Sequence, residues 1–289
     1  MSNLFPEFVF AEISTFLGKG PEGDFLRKFT GNCGVRDDIK DRTYRNGLLH
    51  SYDDKPAEVR YGRFAVWYKN GKIHREGDKP AYIDLKHQET YMKWFKNGKK
   101  HRDGDLPAVI DNTKQIWYKN GFMHRDNDLP AYVDGKTKKW CVNGELHRDN
   151  DLPVFIEHKV LTYINPPEST LCVSWFKKGK LHRADDKPAI IRGKEEIVMM
   201  FLDKKLPKDS YHSLWSNIHK EWYVDGLRHR EGDNPSIITG PCYAVWYKNG
   251  EKYRDGTKPF LISGNSAWWI VDGKEVRSYV FPAPYDEWF

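Results

Sequence analysis

The sequence predicts a mostly β protein: an elongated single-sheet array of about ten β-hairpin repeats, with a short N-terminal α-helical segment. Three observations carry this. A unit of about 23 residues, reading Trp-Tyr-Lys-Asn-Gly-x-x-His-Arg-x-Gly-Asp-x-Pro-Ala, recurs along the chain. Eight units hold Asn-Gly or Asp-Gly between runs of aromatic and β-branched residues, a tight-hairpin signal because both turn positions need positive φ. Aromatic residues make up 15% of the chain and aliphatic residues are sparse, so rings must supply much of the buried area.

Aligned on one glycine per unit, the copies fall at Gly47, Gly71, Gly98, Gly121, Gly144, Gly179, Gly226, Gly250 and Gly273. Four residues earlier stands Trp67, Trp94, Trp117, Trp140, Trp175, Trp222, Trp246 or Trp269. Three residues after the glycine comes His50, His74, His101, His124, His147, His182 or His229. Arg75, Arg102 and Arg125 show the arginine that follows all but the first of these. Pro80, Pro107 and Pro130 show the proline nine residues after the glycine. Two spacings are long. The 35 residues from Gly144 to Gly179 predict an insertion within residues 157–170. The 47 from Gly179 to Gly226 leave room for an eroded copy, fitted by Met200-Phe201-Leu202-Asp203-Lys204 with Lys204 in the glycine place.

Six residues after the glycine, eight of the nine copies carry Gly, Asn or Asp, as in Gly77, Gly104 and Asn127. Those types adopt left-handed backbone cheaply. Asp78, Asp105 and Asp128 follow, placed to accept backbone N–H groups in a turn. Arg75, three residues before Asp78, is expected to pair with it. Identical stacking of units needs an even number of strands, so this segment reads as a kink in the second arm of one hairpin. Ala65, Trp67 and Lys69 then face one way, Val66 and Tyr68 the other. Two strands per unit advance the array roughly 10 Å per repeat.

The domain reading is a helical segment over residues 1–40, the array over 41–280 and a tail over 281–289. The aromatic-x-x-Asn-Gly hairpin, Trp67-Tyr68-Lys69-Asn70-Gly71 and its copies, resembles the MORN family in a divergent form, over about residues 41–280. His-Arg and Asp-x-Pro stand where MORN units carry further glycines, so the lipid binding attributed to some MORN proteins is not carried over. The His-Arg-x-x-Asp-x-Pro variant looks like repeats of large DNA viruses of protists, which implies a structural, virion-associated role as an alternative. Phe5-Pro6-Glu7-Phe8-Val9-Phe10-Ala11-Glu12-Ile13-Ser14-Thr15-Phe16-Leu17 is similar to the first helix of an F-box, with Phe8 in place of the usual acidic residue. That resemblance implies docking to a Skp1-like adaptor of a ubiquitin ligase through Pro6, Val9, Ile13, Phe16 and Leu17. The other reading of the same residues is a helix that caps the open end of the array.

The net charge is +6, from 47 basic and 41 acidic residues, a mild bias that permits an anionic partner without demanding one. Lys69, Lys96, Lys119, Lys177 and Lys248 stand two residues before the aligned glycine and form a stripe. It reads as a track for nucleic acid or an anionic membrane, or as a solvated face that blocks edge pairing. Cys33, Cys141, Cys172 and Cys242 form no C-x-x-C pair and predict free thiols in a reducing, intracellular compartment, the host cytoplasm or a virion. The start of the chain lacks a basic segment followed by an apolar one, and the longest apolar run, residues 197–202, falls far short of the about 20 a membrane span needs. Neither secretion nor a transmembrane segment is expected.

A histidine that recurs seven times at one position does not read as a catalytic base, because a catalytic site occurs once. Histidines roughly 10 Å apart along a ladder cannot share a metal. Off-register His87, His158, His212 and His219 show no ligand spacing, and no polar cluster stands out between the repeats. The expectation is a non-catalytic protein–protein interaction scaffold without cofactor or metal.

Overall fold

A computed structural model describes residues 40–60, 64–84, 91–162, 168–204, 218–240, 242–254, 258–271 and 274–279. The expected helical segment, with Pro6, Val9, Ile13, Phe16 and Leu17, lies outside the described residues, as does the tail. The chain divides into two compact units, Met1–Asn112 and Thr113–Phe289. It is mostly β, as the repeat predicts, with a single short helix among the described residues.

The regular repeat is one hairpin bent at a waist. In the Trp67 copy, Phe64–Val66 and Tyr82–Asp84 are antiparallel base strands, with Phe64 opposite Asp84 and Val66 opposite Tyr82. Tyr68–Lys69 and Lys72–Ile73 are the tip strands, paired around Asn70 and Gly71 at φ 49° and 78°. Trp67 is the waist: its N–H donates to the Ala81 carbonyl at 2.8 Å, and its carbonyl accepts from the His74 N–H at 3.1 Å. Residues 75–80 therefore loop out as a kink, and the second arm resumes beyond them. Small Ala81, fully buried, lies where the arm rejoins Trp67.

Base strands also pair with those of the neighbouring repeat, as Tyr82–Asp84 does with Tyr91–Lys93. The sheet of the first unit thus follows chain order from Lys40–Arg42 through Glu58–Arg60, Phe64–Val66, Tyr82–Asp84 and Tyr91–Lys93 to Val109–Asp111. The second unit repeats this from Lys114–Ile116 to Lys274–Tyr279. Seven of the waist tryptophans, from Trp67 to Trp246, are only 2–7% exposed, and each stands on the apolar face of its sheet. Ala244 and Trp246, two apart, share one cluster with Ile262 and Ala267. The copy at Trp269 has no waist. Ser266–Val271 and Lys274–Tyr279 pair without interruption from Ser266 opposite Tyr279 to Val271 opposite Lys274.

The two long spacings resolve differently. The insertion lengthens a hairpin: Phe155–Leu161 pairs with Glu168–Ser174 from Phe155 opposite Ser174 to Leu161 opposite Glu168. The eroded copy is not a hairpin. Residues Glu195–Leu202 form helix α1, with Glu195 and Glu196 in its first turn. Lys204, at φ 55°, follows the helix end and turns no hairpin. The run Glu-Glu-Ile-Val-Met-Met-Phe-Leu holds good helix formers, and its apolar residues at 197, 198, 201 and 202 fall on one helical face. Ile197 and Val198 pack on Leu171, Val173, Trp175, Ile191 and Ile218, so α1 covers the apolar side of the sheet there.

Candidate functional site

The recurring arginine stacks on its own tryptophan and bonds to the repeat before it. The Arg75 guanidinium lies 4.0 Å from the Trp67 ring centre and donates to the Pro80 carbonyl at 3.3 Å. Its Nε and Nη2 donate to Asp54 at 2.7 and 2.8 Å, and Trp67 Nε1 donates to the Asp54 carbonyl at 2.9 Å. Arg102 does the same with Trp94, Pro107 and Asp78. In the second unit Arg148, Arg183, Arg230 and Arg254 take Asp128, Asp151, Asp186 and Asp233. Arg125 stacks on Trp117 and donates to the Pro130 carbonyl. The expected Arg75–Asp78 pair within one kink is not formed. Stacking on Trp67 aims the guanidinium fork out of its own kink, and Asp78 receives Arg102 from the next repeat. Bonds from Arg75 and Arg254 are the largest cause holding the Asp54 and Asp233 carboxyls at about 2.

The recurring histidine ties each tip to the next. His74 Nδ1 accepts the Asn97 N–H at 3.1 Å; His124 and His229 receive Asn143 and Asn249 at 3.1 and 3.2 Å. The tautomer with its hydrogen on Nε2 satisfies these bonds, and that atom faces an acid two residues on. His101 Nε2 lies 2.8 Å from Asp103, and His124 Nε2 2.8 Å from Asp126. The same acids take the lysine stripe. Lys69 pairs with Glu76, Lys96 with Asp103 at 3.2 Å and Lys119 with Asp126 at 2.9 Å. Lys248 lies 5.0 Å over the Tyr253 ring. Lys177 differs, because Ala184 occupies the acid position of its repeat.

The tips stack closely. The turn glycine donates to the preceding return strand, Gly71 to Leu49 and Gly98 to Ile73 at 2.8 Å, Gly144 to Met123 at 2.9 Å. A Cβ on Gly144 would stand 3.2 Å from Phe122 Cδ1, and φ there is 89°. Gly144→Val is therefore expected to cost about 1–2 kcal/mol in thermal unfolding; an unchanged melting curve would mean the tips are not packed. The residue after each turn glycine is exposed and varied: Leu48, Lys72, Lys99, Phe122, Glu145, Lys180, Leu227, Glu251. Between successive kinks run shallow grooves of about 240–400 Å³, such as the one between His74–Asp78 and His101–Gly104.

One polar constellation stands outside the repeat register, and sequence reading missed it. Thr239 Oγ1 lies 2.6 Å from His219 Nδ1, and His219 Nε2 lies 2.7 Å from Glu221 Oε1. Arg192 Nη2 reaches the same imidazole nitrogen at 3.0 Å and Glu221 at 3.4 Å. Tyr223 Oη and Arg228 Nε donate to the other Glu221 oxygen at 2.8 and 3.2 Å. Burial pushes the Glu221 carboxyl up, but bonds from His219 and Tyr223 outweigh it and hold it at about 2. Tyr223 is pushed up to about 12 by burial and by that carboxylate. The arrangement resembles a hydroxyl–imidazole–carboxylate line. Both Glu221 oxygens are saturated by donors from two adjacent strands and a tip, which makes it an anchor between elements. The one local signal was His219 and Glu221, two apart on one strand face before Trp222. On the opposite face Lys220 lies 5.7 Å from the Phe201 ring of α1, and burial first, then Arg230, lowers its ammonium to about 8.

Cys141, Cys172 and Cys242 are free thiols, and burial pushes Cys141 up to about 11 and raises Cys172, which keeps both un-ionised near neutral pH. Among the described residues no three side chains of metal-binding type converge, and no helix is long and apolar enough to cross a membrane. No family model matches the sequence, and no curated protein matches it.

Proposed function

We propose that this chain is a non-catalytic protein-interaction scaffold, a MORN-like hairpin array in which the waists are framework and the tips are the display surface. The observation that supports it is the position after the turn glycine. Its backbone context repeats from tip to tip, its side chain is exposed at all of them, and its chemistry changes from Leu to Lys, Phe and Glu. A constant frame with a varied exposed row is how a repeat array encodes recognition. The recurring His, Arg and Asp spend their hydrogen bonds on neighbouring repeats, which favours a framework role over catalysis. Nucleic acid and anionic membranes are the weaker partners, since Lys69, Lys96 and Lys119 already carry acids. On its F-box resemblance, the N-terminal segment recruits a Skp1-like adaptor.

Leu48→Ser with Phe122→Ser tests the display surface. Circular dichroism should stay as in the parent and the melting temperature should fall only by the lost tip packing, while proximity labelling loses at least one partner about tenfold; an unaltered partner set refutes the reading. Val9→Asp with Ile13→Asp should abolish adaptor recovery, and retained recovery removes that part alone.

A further inference from the structure

We propose that the tip of the Trp175 repeat, with the tips on either side, docks a short acidic segment of a partner protein flanked by apolar residues. This rests on the scaffold reading and names the partner's chemistry. The tip reads Phe176-Lys177-Lys178-Gly179-Lys180, and its three lysines are exposed. At three other tips the stripe lysine is neutralised by an acid seven residues on: Lys69 by Glu76, Lys96 by Asp103 and Lys119 by Asp126. Here that residue is Ala184, and these three lysines have no ion pair among the described residues. Arg183 does not add to them, because Asp151 takes it at 2.7 Å. The result is a cluster of three exposed lysines without an ion pair.

The two adjacent tips carry the reverse substitution. Val142 and Val224 occupy the stripe position, and both are about two-fifths exposed, at 40% and 41%. Leu227 on the second tip is 52% exposed. The register between these tips is fixed. Gly179 donates to the Leu146 carbonyl at 3.0 Å and Gly226 to the Leu181 carbonyl at 2.8 Å. At two strands per repeat the stripe positions stand roughly 10 Å apart, so valine, lysine and valine span roughly 20 Å. An extended segment of about six residues covers that distance. Glu145 and Asp225 flank the lysines, with Asp225 also 3.5 Å from His182 Nδ1. They repel a uniformly acidic chain at its ends and leave the centre attractive. A peptide with acids in the middle and apolar ends fits this order better than a nucleic acid does.

The test uses the full chain and a fluorescent, end-capped peptide, Leu-Ser-Asp-Glu-Asp-Ser-Leu. Its Asn/Gln counterpart and a single-stranded oligonucleotide serve as controls, all read by anisotropy at physiological salt. The acidic peptide should bind, and the amide counterpart should bind about tenfold more weakly. Lys177→Glu with Lys180→Glu should weaken peptide binding at least tenfold; Val142→Ser with Val224→Ser should weaken it several-fold. Circular dichroism checks that each variant is folded. Absence of peptide binding, peptide binding indifferent to the lysine variant, or an oligonucleotide that binds more tightly and ignores the valine variant overturns the proposal. If the peptide arm fails while Leu48→Ser with Phe122→Ser still loses partners, the scaffold reading stands and only this placement falls. If both fail, the scaffold reading falls with it.

Discussion

Asp78→Ala is expected to destabilise the first unit by about 2–3 kcal/mol, more than removal of its partner Arg102 does. The two ends of this ion pair are unequal. The Arg102 side chain is 4% exposed and lies against Trp94, whereas that of Asp78 is 49% exposed. Deleting the carboxylate strands a guanidinium away from water. Deleting the arginine returns a half-exposed carboxylate to solvent and forfeits stacking and hydrogen bonds, about 1–2 kcal/mol. Arg102→Met should therefore cost less than Asp78→Ala, and the double variant should resemble Arg102→Met. Denaturant unfolding of the three proteins measures this. Because contacts in a repeat array run between neighbours, hydrogen exchange should rise first at the waists that Asp78 and Arg102 join. If Asp78→Ala costs no more than Arg102→Met, the pair is a surface contact and the waist is held by tryptophan packing alone.

The period, the turns and the waist were legible because each follows a local rule. Asn70-Gly71 and Gly77 must accept positive φ, and Trp67 stands in phase with them. The partner of each arginine was not legible from spacing, because Asp54 lies 21 residues from Arg75 and Asp78 only three. The irregular copies nevertheless carried a hint. The first copy has Ser51 where later copies have arginine, yet it keeps Asp54; the Arg254 copy keeps its arginine but has Thr257 in the aspartate place. Backward pairing accounts for Asp54, which receives Arg75 although its own copy has no arginine. Helix α1 was misread because an apolar run without a turn residue suits a decayed hairpin or a helix, and only burial against Val173 and Ile191 decides. The Glu221 constellation draws Arg192, His219 and Thr239 from three different strands, a coincidence that no spacing in the sequence announces.

That constellation gives the second unit an acid-sensitive anchor. The Glu221 carboxyl sits at about 2 in the folded chain against an ordinary value of 4.5. A depressed carboxyl contributes stability that is fully present above its unfolded value. The contribution is lost as pH falls from about 4.5 through about 2. A shift of this size in a side chain only 6% exposed corresponds to on the order of 3 kcal/mol. Asp54 and Asp233 are depressed to a similar value, but their side chains are each 42% exposed, so solvent screens their share. Glu221→Gln should therefore lower stability by about 3 kcal/mol at pH 7, with the gap to the parent closing towards pH 2. The amide keeps the shape but turns a donor group towards His219, Arg192 or Tyr223, each of which already donates. A gap that stayed constant from pH 7 to pH 2 would show that the side chain contributes by its shape and that its charge does not hold the strands.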